Sequence, residues 1–379
     1  MSLITNSRAL PPPHLLQRIA NNPSQADFVD SFDRLRETIT SYLERSGFDF
    51  ASFDDILDFG CGVGRFMFAF ENHLRPGQTI RGAEVHAECA QWCRDNIPFA
   101  ETTHTSINPP LPFDDGQFGL VYALSVFTHL RLDMQFRWAW EVHRVLKPGG
   151  VLFATIHGPT FFPLFHSFRQ HAETYEMYGI GEDGFFSYVV FPSPEELDQG
   201  QVHVASAHSP GVIEEQFAAF EIVKRFPFSD MAGGQDLYIL RKPLHGRPIA
   251  LPAETTDDCH HALPEPGPDG APEAIELTFA LDGQKSFTVH PRVRPDGSYW
   301  IDFHIEIQAK GEGGETLVNQ TLRLPRSRMF GASHYGKLAV PVPPHRGEVT
   351  VRLSSTLGER GSLPETVEPM IEWCFPHFV

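Results

Sequence analysis

Residues 56–70 read ILDFGCGVGRFMFAF. An apolar run closes on Asp58, glycines follow at positions 60, 62 and 64, and apolar residues then recur with helical spacing. Glycine takes left-handed backbone conformations cheaply, so such a loop can turn tightly and bring main chain close to a neighbour. A strand that feeds a helix through glycines is the opening unit of an α/β fold. The fold class of the chain follows from this stretch and from what surrounds it.

Before it, residues 1–13 are polar and end in Pro11-Pro12-Pro13, a loose arm. Residues 14–48 read as helical, with Leu35, Ile39 and Leu43 forming a stripe at four-residue spacing. After it, strands and helices alternate. The pattern predicts strands at 56–59, 79–85, 118–126 and 151–156, and helices at 64–74, around 89–96 and at 132–146. Phe66, Phe70 and Leu74 share one face of the first of these helices, and Met134, Trp138, Val142 and Val145 point inward from the last. Lys147-Pro148-Gly149-Gly150 reads as a helix stop. Two more strands are expected near 221–226 and 236–241. Between them and the fifth strand, residues 159–200 are rich in aromatics and read as an insertion over the carboxyl edge of the sheet, lining either a pocket or extra core.

From Pro243 to Pro272 seven prolines fall among few apolar residues, the composition of a linker. Beyond it the period changes to two. Ile301, Phe303, Ile305 and Ile307 alternate with Asp302, His304, Glu306 and Gln308, as in a half-buried antiparallel strand. Similar runs at 275–281, 338–342 and 349–353, with turn chemistry at Pro295-Asp296-Gly297, predict a β-sandwich. The expected partition is 1–242 for an α/β domain with a helical lead-in over 1–50, 243–272 for the linker, and 273–379 for an all-β sandwich domain.

Two ligand classes use a glycine loop at a strand end. A dinucleotide site wants G-x-G-x-x-G, which would require glycine at residue 65, where this chain has arginine. The Lys-Ser or Lys-Thr of a triphosphate loop is also missing. Asp58 would sit poorly beside a pyrophosphate. It suits the cationic amino group of S-adenosylmethionine, directly or through loop N–H groups, the alternative being that it only pins the loop backbone. Glu84 closes the second strand, 24 residues after Gly60 (84 − 60), where an acid can accept both ribose hydroxyls of an adenosine.

With LDFGCGVGR, GAEVHAECAQWCRDN, LPFDDGQFGLVYALSVFTHL and EVHRVLKPGGVLFATIHG, residues 9–242 resemble the class I S-adenosylmethionine-dependent methyltransferases, in particular a bacterial type 11/12-like subgroup with a leading LPPPHLLQRIA-like segment. The resemblance implies a Rossmann-like seven-stranded sheet with its last strand antiparallel. It implies cofactor contacts from Asp58, Gly60, Cys61, Gly62 and Gly64 at the methionine end, from Glu84 and Val85 at the ribose, from Ser106 and Ile107 beside the adenine, and from Ala123, Leu124 and Ser125 after the fourth strand. S-adenosylhomocysteine is the implied product. Gly119 stands where the family often carries aspartate.

Methyl transfer to a hydroxyl needs a proton acceptor, and histidine near its ordinary pKa suits that role. His129 follows the fourth strand, His157 ends the fifth, and His208 precedes a helix near the expected pocket mouth; His157 is the first choice of the three, and the competing reading of each is a hydrogen-bonded structural histidine. Cys61 lacks a legible activating partner and reads as a small residue in a crowded turn. Five scattered cysteines predict neither a disulfide framework nor a metal site, and a reducing cytoplasm. The balance of 48 acidic against 30 basic residues, net −18, argues against nucleic acid and anionic membranes as partners. The chain shows no signal-peptide pattern and no apolar run long enough to span a bilayer. The expected activity is methyl transfer, at oxygen, to a small-molecule or glycan-type acceptor. A non-catalytic S-adenosylmethionine-fold scaffold and, more remotely, a NAD-linked oxidoreductase are the competing readings. For the sandwich, dimerisation or shielding competes with carbohydrate binding through exposed Trp300, Trp373 or Tyr335, and homo-oligomerisation stays open.

Overall fold

The structure, a computed structural model, describes residues 9–19, 24–130, 132–161, 178–179, 185–189, 204–244, 260–262, 274–294, 301–311, 314–323, 334–335, 338–357 and 370–378. Contacts divide the chain into two compact units. The first holds Met1–His129, Trp138–Phe161 and Ala219–His245, the second Leu130–Arg137, Phe162–Ala218 and Gly246–Val379.

In the first unit, α1 (Pro13–Ile19) and α2 (Gln25–Glu44) lead in. A capping box starts α2: Ser24 Oγ accepts the Asp27 N–H and the Asp27 carboxylate accepts the Ser24 N–H. Of the stripe that the sequence predicts, Ile39 and Leu43 are buried and Leu35 is partly buried against the core; Phe28, outside that stripe, is buried as well. Then come β1 (Asp55–Phe59), α3 (Arg65–Phe70), β2 (Thr79–Glu84), α4 (Ala87–Asn96), β3 (Glu101–His104), β4 (Phe118–Ala123), α5 (Leu132–Val145), which belongs to this unit from Trp138 on, and β5 (Leu146–Ile156). The chain passes through β6 (Tyr178–Gly179), β7 (Phe185–Val189), β8 (Val204–His208) and α6 (Pro210–Gln216) before returning with β9 (Glu221–Phe226) and β10 (Asp236–Arg241). The seven-stranded sheet has the order β3-β2-β1-β4-β5-β10-β9. Neighbours from β3 to β5 are parallel, and β10 is antiparallel to both β5 and β9. This is the Rossmann-like arrangement expected.

Two local expectations give way. The helix predicted to run to Leu74 stops at Phe70 and tightens into a 3₁₀ turn over Glu71–His73. The Lys147–Gly150 stretch is not a gap between helix and strand, because β5 begins at Leu146 directly after α5. Phe118 pairs with Leu146 and Leu120 with Val151, so the extra residues bulge out of β5. Gly149 takes φ +79° there, and the bulge is tied to the end of β10: Gly149 N–H donates to Lys242 O and Lys242 N–H to Gly150 O, each at 2.8 Å. Gly119 faces Phe53, whose ring carbon would lie 3.3 Å from a side-chain Cβ, so an aspartate there would need the Phe53 ring to give by a few tenths of an ångström.

The second unit contains a four-stranded sheet, β12-β18-β14-β15, and a larger one ordered β11-β19-β13-β16-β6-β7-β8, with β17 also on β13. Here β11 is His260–Ala262, β12 Ala274–Asp282, β13 Ser286–Arg294, β14 Ile301–Ala309, β15 Thr316–Arg323, β16 His334–Tyr335, β17 Leu338–Pro341, β18 Arg346–Leu357 and β19 Met370–Phe378. Phe279, Phe303, Ile305, Val349 and Val351 of the smaller sheet share one core with Phe287, Val289, Val340 and Phe378 of the larger, as in a sandwich. Trp373 is not the exposed platform weighed from the sequence. It is buried in this core, its ring 5.4 Å from Phe303. The backbone of Tyr335 lies in β16, and Trp300 and the 295–297 turn fall outside the described residues. Two segments attach differently from the expected partition. Strands β6 and β7, from the region read as an insertion, and β8, just after it, pair into the sheet of the sandwich through β16, and β11, from the region read as linker, pairs with β19.

Candidate active site at the carboxyl edge of the parallel sheet

Parallel strands bring their carboxyl ends to one edge, where ligands of open α/β sheets bind. Register places Asp58 beside Gly82 and Tyr122, and Glu84 beside His104. The loop after β1 takes left-handed backbone at each of its three glycines, with φ +72° at Gly60, +55° at Gly62 and +77° at Gly64. Space adds to conformation. A Cβ on Gly60 would lie 2.6 Å from Val126 Cγ2, and one on Gly64 2.2 Å from Ile97 Cδ1. A side chain at either position would be strained by the positive φ and would displace Val126 or the end of Ile97.

The loop amides are engaged by the protein itself, which corrects the expectation that they face a ligand. Gly60 and Cys61 N–H both donate to Ala83 O, at 2.8 and 3.2 Å, and Gly64 N–H donates to Cys61 O. Gly62 N–H donates to Glu84 Oε2 at 2.7 Å, and Glu84 Oε1 accepts the His86 N–H at 2.7 Å. Glu84, rather than Asp58, therefore pins the loop. The Glu84 carboxylate keeps acceptor capacity for a hydroxyl donor. Burial pushes the Glu84 carboxyl above its ordinary range, while the amides of His86, Gly62 and Val85 pull it back.

Asp58 is 3% exposed, yet among the described residues nothing donates a hydrogen bond to its carboxylate. Burial first, and then the Glu84 charge, push it well above its ordinary range against the pull of Arg65. A buried carboxylate in this state lacks a cation, and that vacancy of charge fits an ammonium group.

Around these acids lie the other residues singled out from the sequence. Val85 and Ile107 are each 46% exposed, unusual for large apolar side chains at strand ends. His104 Nε2 contacts Val85 O, and Trp138 Nε1 donates to Ile107 O, which fixes both segments. Ser106 is exposed and accepts the Asn108 N–H on its own hydroxyl. Ala123 is buried at the end of β4, and Leu124 packs partly into the core. Ser125 takes φ +59°, a strained value for a residue with a Cβ. Three contacts hold it there: its N–H donates to Thr155 Oγ1, its hydroxyl to Gln235 Oε1, and its carbonyl accepts from Thr128 Oγ1.

Of the three histidines, His129 and His157 follow strands of this sheet, and His208 ends β8 in the second unit, wholly buried. His129 is exposed; His157 is half-buried with its ring 4.9 Å from Phe161. Cys61 and Cys93 are free buried thiols whose sulfurs both point at Gly62 O, at 3.9 and 3.3 Å, a structural role. Among the described residues no three His, Cys, Asp or Glu side chains gather as a metal site, and no helix is long and apolar enough to cross a membrane.

Sequence reasoning missed two side chains at this edge. Tyr122 lies beside Asp58 with its ring stacked on Phe66 at 4.3 Å, and its buried hydroxyl has no hydrogen-bond partner among the described residues. Arg65, at the start of α3, acts electrostatically on both Asp58 and Tyr122.

A family model described as methyltransferase domain matches residues 57–154, the stretch from β1 to β5. A curated relative, an uncharacterized methyltransferase of Synechocystis sp., is 32% identical over 124 residues, 31% of this chain. The match spans 56% of that relative's length. Among solved structures, the N-methyltransferase NodS from Bradyrhizobium japonicum in complex with S-adenosylhomocysteine is 18% identical, covering 61% of this chain and 97% of that one, with TM-score 0.38. A SAM-dependent methyltransferase from Methanosarcina mazei is 21% identical, covering 51% and 93%, with TM-score 0.38. The glycine loop and the strand order agree with the matched family model, so residues 57–154 are similar to a methyltransferase domain.

Proposed function

We propose that this chain transfers a methyl group from S-adenosylmethionine to an oxygen of a small-molecule or glycan-type acceptor, releasing S-adenosylhomocysteine. The observation that carries the cofactor assignment is Asp58, a buried carboxylate with no donor among the described residues, two residues before a glycine loop pinned by Glu84. When bound, the cofactor supplies an activated methyl on a sulfonium. Asp58 holds its ammonium, Glu84 accepts from the ribose hydroxyls, and Val85 and Ile107 flank the adenine with their exposed apolar surface. Gly60, Cys61, Gly62 and Gly64 shape the wall that admits the methionine end, and Ala123, Leu124 and the constrained Ser125 close it from β4, with Ser106 at its rim. Positioning of the acceptor in line with the sulfur–carbon bond supplies most of the rate.

Oxygen is favoured as the acceptor atom because a hydroxyl must lose a proton, and His157 stands half-buried at the end of β5 on this edge. His157 accepts that proton as the new carbon–oxygen bond forms; His129, exposed on the turn after β4, shapes the entry. His208 is the weaker candidate for the base, since it belongs to the second unit. The free thiols Cys61, Cys89 and Cys93 favour a reducing cytoplasm, and the net charge of −18 disfavours polyanionic acceptors. Isothermal titration with S-adenosylhomocysteine, S-adenosylmethionine and NAD tests the cofactor. Binding of either sulfur nucleoside, with none of NAD, is the expected result, and the opposite pattern sinks the reading. Turnover of hydroxylated acceptors by the wild type, reduced ~100-fold in His157→Ala with cofactor affinity intact, tests the base.

A further inference from the structure

Phe228 is costly to keep where it stands. Its side chain is 60% exposed, and its backbone takes φ +50°. A bulky residue in the left-handed region is strained, and burial, the usual return on a phenylalanine, is largely forgone. Nor is the strain scattered. Among the described residues, three that are not glycine have left-handed backbone: Ser125, Phe228 and Ala232. Phe228 and Ala232 share the loop between β9 and β10, and Gln235 of that loop accepts the Ser125 hydroxyl at 3.2 Å. Strain gathered in one place and held there by its neighbours points to a functional surface.

The means of holding it are specific. Asp236, wholly buried, accepts the Phe228 N–H on Oδ1 at 3.0 Å and the Thr160 N–H on Oδ2 at 3.2 Å. Arg225 donates to the same carboxylate at 2.9 Å and to the Thr160 hydroxyl at 3.1 Å. One side chain thus fixes the backbone of Phe228 and, through Thr160, the approach to Phe161. The two rings stack at 5.5 Å with 13° between their planes, and Phe161 lies 4.9 Å from the His157 ring. Gly234 leaves Phe228 its room, since a Cβ there would lie 3.0 Å from two of its ring carbons. The result is an aromatic ladder from His157, just after β5, to an open ring just after β9. Both strands are antiparallel to β10, so they run with β1 and β4 and end on the edge that carries Asp58 and Ser125.

We propose that this ladder seats the methyl acceptor and that the acceptor is a flat aromatic phenol, its ring stacked on Phe228 and Phe161 and its hydroxyl turned to His157. The inference rests on the proposed transfer to oxygen and deepens it, choosing an aromatic small molecule over a glycan. Two arguments make the choice. Near-parallel rings held in place offer a face to another flat ring, and such a contact adds to the plain burial of apolar area. A phenol titrates near ~10, as tyrosine does, whereas an alkyl hydroxyl lies close to water at about 15.7. Histidine accepts a proton from the first across a far smaller mismatch. The phenol oxygen bonds the methyl carbon as the sulfur–carbon bond breaks, that bond's electron pair stays on sulfur, and His157 takes the phenol proton.

Calorimetric titration of the full chain, loaded with S-adenosylhomocysteine, tests the seat. 2-Naphthol and 7-hydroxycoumarin are the flat probes. Decahydro-2-naphthol keeps a carbon skeleton and hydroxyl without planarity, and methyl β-glucoside stands for glycans. The flat phenols are expected to bind at least tenfold tighter than either alcohol. Phe228→Ala is expected to weaken them about tenfold with S-adenosylhomocysteine affinity unchanged, and Phe228→Trp to keep most of the binding. Phe228→Gly removes the strain along with the ring, so it should melt no earlier than the wild type while losing the same tenfold, which separates lost binding from lost fold. Equal binding of flat and saturated probes, or phenol binding untouched in Phe228→Ala and Phe228→Gly, overturns the proposal. So does tighter binding of methyl β-glucoside, or a Phe228→Ala chain whose oligomeric state differs on size-exclusion chromatography, which would give the ring to a second copy. With S-adenosylmethionine, mass spectrometry should find the bound phenol methylated at oxygen. Phenols bound through Phe228 and left unmethylated overturn the transfer to oxygen and this proposal with it; phenols ignored by a chain that methylates other hydroxyls overturn this proposal alone.

Discussion

Two buried aspartates on this fold show how differently a carboxylate can be housed. Asp236 is wholly buried and fully served: Phe228 N–H donates to Oδ1, and Thr160 N–H and Arg225 donate to Oδ2 at 3.2 and 2.9 Å. Asp58 has the same burial and no donor among the described residues. Its pKa is raised in the folded chain, so the folded state keeps a proton that the unfolded state releases just above the ordinary value of 3.8. Its contribution to stability therefore falls as pH rises from there through the folded-state value, and near neutrality the charge is a burden until a cation arrives. Asp58→Asn should leave the ligand-free melting temperature unchanged or higher at pH 7.5, and weaken S-adenosylhomocysteine at least tenfold, as read by thermal melts and calorimetry. A variant that melts earlier and binds as tightly as the wild type would refute this account. Asp58, the three glycines and Glu84 were legible from type and spacing, since few backbones need those residues in that order. Tyr122 was not, because a tyrosine inside an apolar strand reads as core, and no periodicity reveals that its hydroxyl goes unmet.

Helix α5 and the strand after it illustrate what local signals miss. Lys147-Pro148-Gly149-Gly150 carries stop signals for a helix and for a strand alike, yet pairing with β4 on one side and β10 on the other carries the strand through it. The same region builds a clamp. Lys242, just past β10, donates from Nζ to His143 O at 2.7 Å, in the last turn of α5, and to Leu146 O at 2.8 Å, at the start of β5. His143 stands beside it with its ring 5.2 Å from Phe220. Burial, helped by the Lys242 charge, pushes its pKa down from 6.5 to about 4. The folded chain thus refuses a proton that the unfolded chain accepts below pH 6.5. Stability is lost as pH falls from there to about 4, by up to about 3 kcal/mol. Urea unfolding of the wild type and His143→Gln at pH 7 and pH 4 checks this. The loss between the two pH values should be smaller in the variant by roughly that amount, and equal losses would exclude the mechanism. Strands β9 and β10 fall where the apolar pattern puts them, because their signals are local and uncontested.

At the level of the entire chain, the alternating pattern of Ile301 to Gln308 was enough to announce a sandwich, since the inward residues Phe303, Ile305 and Ile307 are all buried. The partnership of β6 with β16, Gly179 beside His334, was not legible. Pairing between segments so far apart leaves no mark in either segment's own composition. It has a testable cost. A chain ending at residue 244 keeps every strand of the seven-stranded sheet but deprives β6, β7 and β8 of their neighbours in the larger sheet of the sandwich. Unpaired edges of that kind recruit other chains. Size-exclusion chromatography should find the shortened protein aggregated, while the same chain with 162–208 replaced by a short glycine–serine linker stays in solution longer. A monodisperse 1–244 chain melting with the full-length protein would contradict this.

That interleaving also sets a timetable during synthesis. The ribosome finishes β10 and so completes the first sheet long before it makes β16, and the strands at 178–208 emerge without the neighbours they need. At ~5–20 residues per second their exposure lasts on the order of ten seconds. Throughout that interval the nascent polypeptide presents the open edge of β6 to the crowded cell, the kind of surface that chaperones shield.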